Sequence, residues 1–548
     1  MVLLAQETRL FKTAHFPVRF RYTRDTTTAA SRREFGVVGP IPATTLSPTK
    51  GHNICTRPAG YMSNYVACDL GAGAGRIWLG TLHDGQLTMS EVRRFENLPI
   101  EDKDSIQWNI PQLYHETLDG LRGIGTYEEP IDSISCNSWG SDYLLFERDG
   151  ALISPTFHCS DPRTKSVLKK VLSKVPWETI YEETGVQQEA ANTLSQLFVE
   201  KSKRLSRAEH LMPVADGFNY LLTGVPRAEL SLASTTQLYN PLTKTWSERL
   251  LKAFKFPQNL FPQLVAAGTE LGPLRAELIK ETGLEETRVV TSCSHEVAAA
   301  LAGLPIVEGE HWAYLHLGTS SVIGAELEVP LINEETRSLN YTNAVGYGGT
   351  SLMHKPTVGL WILDDCRRFW QDKDRALDGD LLIHLAGAAA PFASLINPED
   401  PRFLTPGDMP LKIQAYCKET NQTIPRKPGA IFRCILESLA MLHRTRIREI
   451  ERITGRLIER LFILGNTSNS LLVHFTAGAT EVPVTVAPAD STAIGNVVVQ
   501  ALTLKHISSV DRAREIVRTS FKTEVIVPRP SAWNYAYETF LKLCSAEA

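Results

Sequence analysis

The chain has 548 residues, which exceeds the size that a single hydrophobic core usually serves, so at least two domains are expected. Hydrophobic residues make up 43% and charged residues 22%, as in ordinary globular proteins, and this content leaves room for large cores. The formal net charge of −4 excludes the basic surface typical of a nucleic-acid-binding protein, and no apolar run is long enough to span a membrane.

The nine cysteines are scattered without a C-x-x-C pair, which indicates a reducing compartment rather than a disulfide scaffold, and none is placed as a metal ligand. These features predict a soluble, cytoplasmic protein and leave its oligomeric state open. Residues 1–61 differ from the rest because Arg and Lys lie among Thr and Ser with few acids. They are interpreted either as an organelle transit peptide or as a disordered, dispensable or misassigned leader. We prefer a leader, because Met62 comes directly before the first predicted strand.

The first functional pattern is a strand that runs into small residues. Residues 65–70 are apolar apart from Asp69, residues 71–75 alternate Gly and Ala, and residues 77–80 resume the strand. This pattern predicts a hairpin. Backbone N–H groups of Gly and Ala can approach a phosphate closely, and Asp69 at the strand end suits Mg²⁺. A tight glycine hairpin with a solvated Asp69 fits the pattern equally well.

A second stretch of the same kind lies in the other half of the chain. Residues 312–317 are an apolar strand, residues 318–321 a small-residue turn with hydroxyl groups, and residues 322–324 a returning strand. Two such hairpins resemble the duplicated architecture of the actin-like ATPases. The resemblance implies an α/β fold with two ribonuclease-H-like domains and a nucleotide cleft between them.

The elements between the hairpins agree with that order. Residues 110–118 predict an amphipathic helix and residues 131–136 a strand, and helical spacing of apolar residues extends from Val167 to Leu222. The loop at residues 303–309 is the predicted domain boundary. The predicted units are the leader, the N-terminal domain and the C-terminal domain, namely residues 1–61, 62–305 and 306–548.

A tryptophan and a carboxylate follow the strand at residues 131–136. Trp139 can cover the apolar face of a sugar, and Asp142 can accept hydrogen bonds from its hydroxyl groups. Taken alone, the same residues are more typical of a core tryptophan beside a turn.

The predicted catalytic carboxylate is Glu296, at the start of an Ala-rich helix that follows the strand at residues 289–291. Phosphoryl transfer to an alcohol needs a carboxylate that accepts the hydroxyl proton. The alternative is that Ser294 caps the helix and Glu296 only favours the helix dipole.

Three further elements are predicted in the second half. Apolar spacing from Ala430 to Gly455 predicts a long amphipathic helix. Residues 461–464 predict a strand that leads into a loop beginning at Gly465, and residues 485–496 predict a strand followed by a helix.

An ordered set of motifs resembles the FGGY sugar kinases, and within that family the rhamnulokinase branch. The motifs follow the family's order from about Met62 nearly to the C-terminus, at residues 69–76, 131–142, 161–164, 211–213, 294–296, 318–319, 359–361 and 397–403. One such motif is weak, whereas the ordered set is strong.

The resemblance implies an ATP-dependent sugar kinase that uses Mg²⁺ and a ketose such as L-rhamnulose. It implies Asp69 as the metal-binding residue and Glu296 as the catalytic base. The implied nucleotide contacts are Ala72, Gly73, Ala74, Gly75, Arg76, Thr319, Asp364, Gly465 and Asn466. The implied substrate contacts are Gly140, Asp142, His295, Glu296, Val297 and Pro356.

Several of these positions depart from the family pattern. Glu296 replaces an Asp, Pro356 an Asn that contacts substrate, Asp364 a Gln that contacts nucleotide, and Asn466 part of a Gly-Gly-Gly run. Pro356 removes a hydrogen-bonding side chain and an N–H group, which leaves the sugar open. The departures also suit a weak or inactive paralogue that binds sugar or nucleotide, or a kinase for a different ketose or polyol.

Overall fold

The structure is a computed structural model that describes residues 20–21, 62–371, 377–529 and 532–545. The predicted leader lies outside the described residues, except for the short strand at residues 20–21. The strands, in chain order, are β1 Phe20–Arg21, β2 Ser63–Leu70, β3 Ala74–His83, β4 Gln86–Glu96, β5 Ile100–Asp102, β6 Ser105–Trp108, β7 Ser133–Ser138, β8 Tyr143–Glu147, β9 Leu152–Ile153, β10 Thr156–Phe157, β11 Ala208–Pro213, β12 Arg227–Glu229, β13 Tyr239–Asn240, β14 Thr245–Trp246, β15 Gln263–Val265, β16 Thr269–Pro273, β17 Arg288–Thr291, β18 Trp312–Leu317, β19 Ser320–Leu327, β20 Thr342–Val345, β21 Ser351–Val358, β22 Arg460–Gly465, β23 Val484–Val486 and β24 Glu524–Ile526.

The α-helices, in the same order, are α1 Ile110–Ile124, α2 Val167–Lys174, α3 Trp177–Thr184, α4 Thr193–Phe198, α5 Ser202–Leu205, α6 Val214–Thr223, α7 Leu230–Ala233, α8 Glu248–Phe254, α9 Ala276–Thr282, α10 Glu296–Ala302, α11 Glu334–Ser338, α12 Trp361–Gln371, α13 Gly379–Ala388, α14 Met409–Glu419, α15 Pro428–Thr454, α16 Ser470–Thr480, α17 Ser491–Thr503, α18 Val510–Ser520 and α19 Trp533–Ser545. None of the helices in the described ranges combines the length and the apolar character needed to cross a membrane.

The N-terminal half is built on a sheet with the strand order β16-β17-β7-β2-β3-β4. The first predicted hairpin is confirmed, because β2 and β3 pair antiparallel and bring Asp69 opposite Arg76. On the other side of β2, the parallel strand β7 places Asn137 beside Asp69. Three polar side chains therefore lie on adjacent strands at the end of the central strand.

The C-terminal half is built on a sheet with the order β20-β21-β19-β18-β22-β23-β24. The second predicted hairpin is confirmed by the antiparallel pairing of β18 with β19. The parallel strand β22 lies on the other side of β18 and brings Gly465 beside Leu317. The central strands of both sheets therefore end at loops made of small residues.

The long helix predicted for residues 430–455 is confirmed as α15, which ends at Gly455 with a left-handed φ of +67°. The predicted helical stretch from Val167 to Leu222 is interrupted by β11, which pairs antiparallel with β8. The strand segment is apolar and short, and a short apolar run has no period that separates a strand from a buried helix.

Helices α17 and α18 lie in sequence between β23 and β24 of the C-terminal sheet but cover the sheet of the N-terminal half. Ala493 and Val497 of α17 form one buried cluster with Tyr65, Ala67 and Trp78 of β2 and β3. The polar side chain of Gln500 donates to the carbonyl oxygen of Val66 at 3.0 Å. These helices lie after residue 305, in the part of the chain predicted as the C-terminal domain, although they pack on the sheet of the N-terminal half. The predicted boundary stays a prediction.

Candidate active site

A cavity of about 250 Å³ lies between the two halves, at the ends of their central strands. It is lined by the first hairpin, the start of α10, the ends of β18 and β22, and the start of α17. The lining residues are Asp69, Gly71, Ala74, Arg76, Glu296, Ala300, His316, Leu464, Gly465, Ala489, Ser491 and Thr492. The proposed metal-binding residue and the proposed base thus share one cavity.

Asp69 is held in place by two donors from neighbouring strands. Its Oδ2 accepts from Arg76 Nη2 at 2.6 Å, and its Oδ1 accepts from Asn137 Nδ2 at 2.7 Å. Burial raises the pKa of Asp69, and the charge of Arg76 and the Asn137 hydrogen bond oppose that rise. Arg76 also donates to Asp490 at 2.9 Å. The carboxylate therefore has a fixed orientation toward the cavity.

Glu296 is the first residue of α10. Removal from water raises the pKa of Glu296 to about 7, the nearby charge of Asp69 adds to the rise, and Arg76 opposes it. A carboxylate with a pKa near neutrality is suited to accept a proton and to release it again.

The predicted helix cap at Ser294 is wrong. The N-cap position is occupied by His295, whose side chain makes no capping hydrogen bond. The Ser294 hydroxyl instead donates to Asp216 Oδ1 at 2.8 Å. The alternative is therefore wrong about the cap, while Glu296 does stand in the first turn of α10, where its charge favours the helix dipole.

His295 lies directly before Glu296, with its Nδ1 atom buried and without a hydrogen-bond partner in the described part of the chain. Burial lowers the pKa of His295 to about 3, and His354 and His316 add to the effect. The ring is therefore neutral and has a free polar atom for a ligand. Val297 is 6% exposed and packs in a hydrophobic cluster with Tyr314.

The small residues of the first hairpin have different environments. Ala72 and Gly73 are exposed at its tip, whereas Ala74 lines the cavity. The Gly71 N–H donates to the Ala74 carbonyl at 3.1 Å. A side chain at Gly75 would come within 2.1 Å of the Phe95 ring, so close packing explains that glycine.

Gly465, the last residue of β22, lines the cavity. Thr319, in the turn between β18 and β19, and Asn466, which follows Gly465, are exposed and do not line it. Gly465 has a φ of +85°, and an added Cβ would lie 2.3 Å from the Leu317 carbonyl oxygen. These two constraints account for the single glycine that remains of the family's run. Asn466 donates its N–H to Leu317 at 2.8 Å.

The Trp139 segment forms a packed aromatic cluster. Trp139 is 6% exposed and its ring centroid lies 4.4 Å from that of Trp108. Asp142 accepts from Trp108 Nε1 at 2.6 Å, from Trp139 Nε1 at 2.9 Å and from Gln196 Nε2 at 3.0 Å. Asp142 therefore accepts hydrogen bonds from three protein groups, whereas the sequence predicted that it accepts from sugar hydroxyl groups. Trp139 is packed as a core tryptophan, which was the alternative interpretation of this segment.

Three further predicted contacts lie outside the cavity lining. A Cβ at Gly140 would approach Thr235 Oγ1 to 3.0 Å, so the glycine allows close contact with that loop. Pro356 lies on β21 opposite Val322. Asp364 forms an ion pair with Arg367 at 3.2 Å on its own helix, with a third of its side chain exposed.

Sequence reasoning missed the start of α17. Its first residues, Ser491 and Thr492, line the cavity, and Asp490 at the N-cap position pairs with Arg76. An N-terminus of a helix favours bound phosphate through its free N–H groups and its dipole. The available signal was an acid at the N-cap position followed by two hydroxyl residues at the start of the helix.

The donor set fits Mg²⁺ bound together with phosphate. Magnesium is held by one or two carboxylates, with waters and substrate phosphates completing its coordination. Asp69 provides such a carboxylate at the cavity, where waters and the phosphates would complete the coordination of the cation. In the described ranges, no group of three His, Cys, Asp or Glu residues is arranged as a metal site.

Solved structures share the arrangement of the two halves. A xylulose kinase from Lactobacillus acidophilus has a TM-score of 0.75 at 14% identity, covering 88% of this chain and 98% of that chain. A Plasmodium falciparum glycerol kinase with ADP has a TM-score of 0.73 at 12% identity, covering 89% and 97%. The predicted fold of two actin-like ATPase domains is confirmed.

Sequence similarity identifies the family. A rhamnulokinase of Bacteroides thetaiotaomicron is 36% identical over 482 residues, which cover 87% of this chain and 98% of that protein. A rhamnulokinase of Enterococcus faecalis is 35% identical over 488 residues, which cover 88% and 98%. Residues 64–303 and 313–504 match the N-terminal and C-terminal domains of the FGGY family of carbohydrate kinases. The chain belongs to the FGGY family of carbohydrate kinases.

Proposed function

We propose that the protein transfers the γ-phosphate of ATP to a hydroxyl group of a ketose, with L-rhamnulose as the first candidate. The observation that carries this proposal is the common cavity of Asp69, Arg76, Glu296 and Gly465, which draws on both halves of the molecule. The choice of sugar rests on the similarity to rhamnulokinases.

In the proposed reaction, Glu296 accepts the proton of the sugar hydroxyl as the sugar oxygen bonds to the γ-phosphorus. The bond from that phosphorus to the bridging β,γ-oxygen breaks, and ADP leaves. Arg76 orients the phosphate end, the start of α17 faces the same anions, and Asp69 would hold Mg²⁺. Mg²⁺, when bound, neutralises charge on the phosphates. Closure of the two halves keeps water from accepting the phosphate.

A ketose panel tests this function. Phosphorylation is measured with a coupled ADP assay and by detection of the sugar phosphate, with ligand-induced thermal stabilisation measured in parallel. We expect turnover that depends on both ATP and a ketose, with L-rhamnulose turned over fastest. Stabilisation by ATP or sugar without turnover would support the binding paralogue instead. Turnover of another sugar but not L-rhamnulose would show that the protein is a kinase for a different ketose or polyol.

A further inference from the structure

Two buried carboxylates contact the loop of residues 292–295, which connects β17 to Glu296 at the start of α10. Asp216 in α6 and Glu229 at the end of β12 are each 1% exposed. Their recorded partners are backbone N–H groups and serine hydroxyls. Buried carboxylates are costly unless such donors compensate them, so this arrangement calls for a reason.

Glu229 holds the two residues that come directly before Glu296. Its Oε2 accepts from the Ser294 N–H at 2.9 Å and from the Ser231 hydroxyl. The same Ser231 oxygen accepts from the His295 N–H at 3.0 Å. Glu229 Oε1 also accepts from the Ser231 N–H at 3.0 Å, which caps the short helix α7. One carboxylate therefore fixes the last two amide groups of the loop, one directly and one through a hydroxyl.

The opposite side of the loop is fixed as well. The Ser294 carbonyl accepts from the Ser138 N–H at 2.8 Å, and Ser138 lies at the end of β7 in the central sheet. The loop is thus held between the sheet and Glu229. The start of α10, and with it Glu296, has little freedom to shift relative to the cavity.

Asp216 has a different set of contacts from Glu229. Its Oδ2 accepts from the Glu229 N–H at 3.0 Å, and its Oδ1 shares a hydrogen bond with the Ser294 hydroxyl at 2.8 Å. Burial and the charge of Glu229 raise the pKa of Asp216 well above its usual range. The Ser294 hydroxyl donates to Asp216 Oδ1, and because a hydroxyl oxygen can also accept, an amide nitrogen at this position could donate to it. All of the recorded partners of Glu229 are donors, so an amide nitrogen there would face an N–H or O–H group.

We propose that Glu229 is a positioning residue for phosphoryl transfer, which sets the place of Glu296 by holding the Ser294 and His295 amides. This inference rests on the proposed role of Glu296 as the base. Glu229 lies outside the cavity lining and acts through the loop. Its effect on the rate comes from the position of Glu296. A displacement of about 1 Å at a reacting group can cost on the order of a hundredfold in rate.

Two isosteric amide variants test the proposal. We expect Glu229→Gln to lower kcat between about tenfold and a hundredfold while the KM for ATP stays within about twofold. Asp216→Asn is the matched control and keeps kcat within about threefold, because its amide oxygen can accept from the Glu229 N–H while its amide nitrogen donates to the Ser294 hydroxyl oxygen. Thermal unfolding is measured for both variants. A role in stability alone would lower the melting temperature but leave kcat per folded enzyme at the wild-type value.

The outcomes separate this proposal from the proposed function. If Glu296→Gln still phosphorylates sugar, the assignment of the base fails. If Glu296→Gln is inactive but a folded Glu229→Gln keeps the wild-type kcat, only the positioning role fails. Equal loss of kcat in Glu229→Gln and Asp216→Asn would also overturn it. If Glu229→Gln does not fold, Ser231→Ala decides, since it removes the hydroxyl between Glu229 and His295. A fall in its kcat of about tenfold supports the proposal, and an unchanged kcat overturns it.

Discussion

Glu296 has two properties that a catalytic base needs, a place in the shared cavity and a pKa near neutrality. We predict that Glu296→Gln abolishes sugar phosphorylation, because an amide cannot accept the hydroxyl proton. Glu296→Asp is expected to preserve or raise activity, since it restores the residue that the family has at this position. The measurement is kcat for sugar phosphate formation. Glu286→Gln, at an exposed position before β17, is the control and should match the wild type. Wild-type activity in Glu296→Gln would contradict the role.

The raised pKa of Glu296 predicts a pH dependence. Glu296 accepts a proton only when it is ionised, so kcat should rise with pH through about 7 and reach a plateau above 8. At pH 6 it should be about tenfold below the plateau. A pH profile of kcat checks this. A profile that is flat between pH 6 and 8 while chemistry limits the rate would contradict it.

The raised pKa of Glu296 also makes the free energy of unfolding depend on pH. As the pH rises, kcat should increase while this contribution to stability decreases. The folded protein holds the Glu296 proton more tightly than the unfolded chain, so this group's contribution to the free energy of unfolding is present below about pH 4.5. It is lost as the pH rises toward about 7. Glu296→Gln removes the charge and should therefore raise the melting temperature at pH 8 relative to the wild type. Thermal unfolding at pH 5 and pH 8 gives the comparison, and an equal difference at both pH values would contradict it.

Two of the predicted site residues, Asp69 and Glu296, line the cavity between the two halves. Asp69 lies near the end of β2 and Glu296 at the start of α10, and their roles as metal-binding residue and base stay predictions. The environment of Asp142 was not predictable. Its donors Trp108 and Gln196 are distant in sequence, and only the packed structure brings their N–H groups to its carboxylate.

Among the elements, α10 and α17 cross with almost no space between their backbones. An added Cβ at Gly495 would lie 1.8 Å from the Ala299 carbonyl oxygen. We predict that Gly495→Ala forces the helices apart, lowers the free energy of unfolding by about 1–3 kcal/mol and reduces kcat. The fall in kcat is expected because Glu296 begins α10 and moves with it. Denaturant unfolding and steady-state kinetics measure the two effects.

The control for this substitution is Gly387→Ala in α13, where an added Cβ meets no atom within 4 Å. Alanine is the better helix former, so that variant should be as stable as the wild type or more stable by up to about 1 kcal/mol. If Gly495→Ala is also neutral, the close approach of α10 and α17 does not limit stability.

Several elements follow from local patterns. The two hairpins, α1 and α15 were predicted from period, turn residues and a terminal glycine. The crossing of α17 onto the N-terminal sheet was not predicted. The apolar residues of α17 are those of an ordinary buried helix, and the sequence around it does not indicate which of the two sheets it packs against.

At the scale of the whole molecule, a series of hydrogen bonds connects α17 with β7, β2 and β3. Asn496 donates to Asn137 Oδ1 at 2.8 Å, and Asn137 donates to Asp69 Oδ1 at 2.7 Å. Arg76 contacts both Asp69 and Asp490, which stands at the start of α17. The hydrogen bonds therefore begin at Asn496 within α17 and end at Asp490, the residue directly before α17. A helix from the end of the chain thus orients the proposed metal-binding carboxylate of the first hairpin.

We predict that Asn496→Ala weakens both stability and the use of Mg²⁺. Asn496 is 0% exposed, and its loss leaves the Asn137 amide oxygen without its donor, which costs about 1–3 kcal/mol. Asn137 then holds Asp69 less firmly. Loss of a group that orients a metal ligand typically costs about 10–100-fold in metal affinity or activity. The Mg²⁺ concentration for half-maximal activity should rise accordingly, while the KM for the sugar changes little. Asn534→Ala on the exposed face of α19 is the control and should leave both quantities unchanged. A loss of stability in Asn496→Ala with an unchanged Mg²⁺ requirement would show that α17 supports the fold without orienting Asp69.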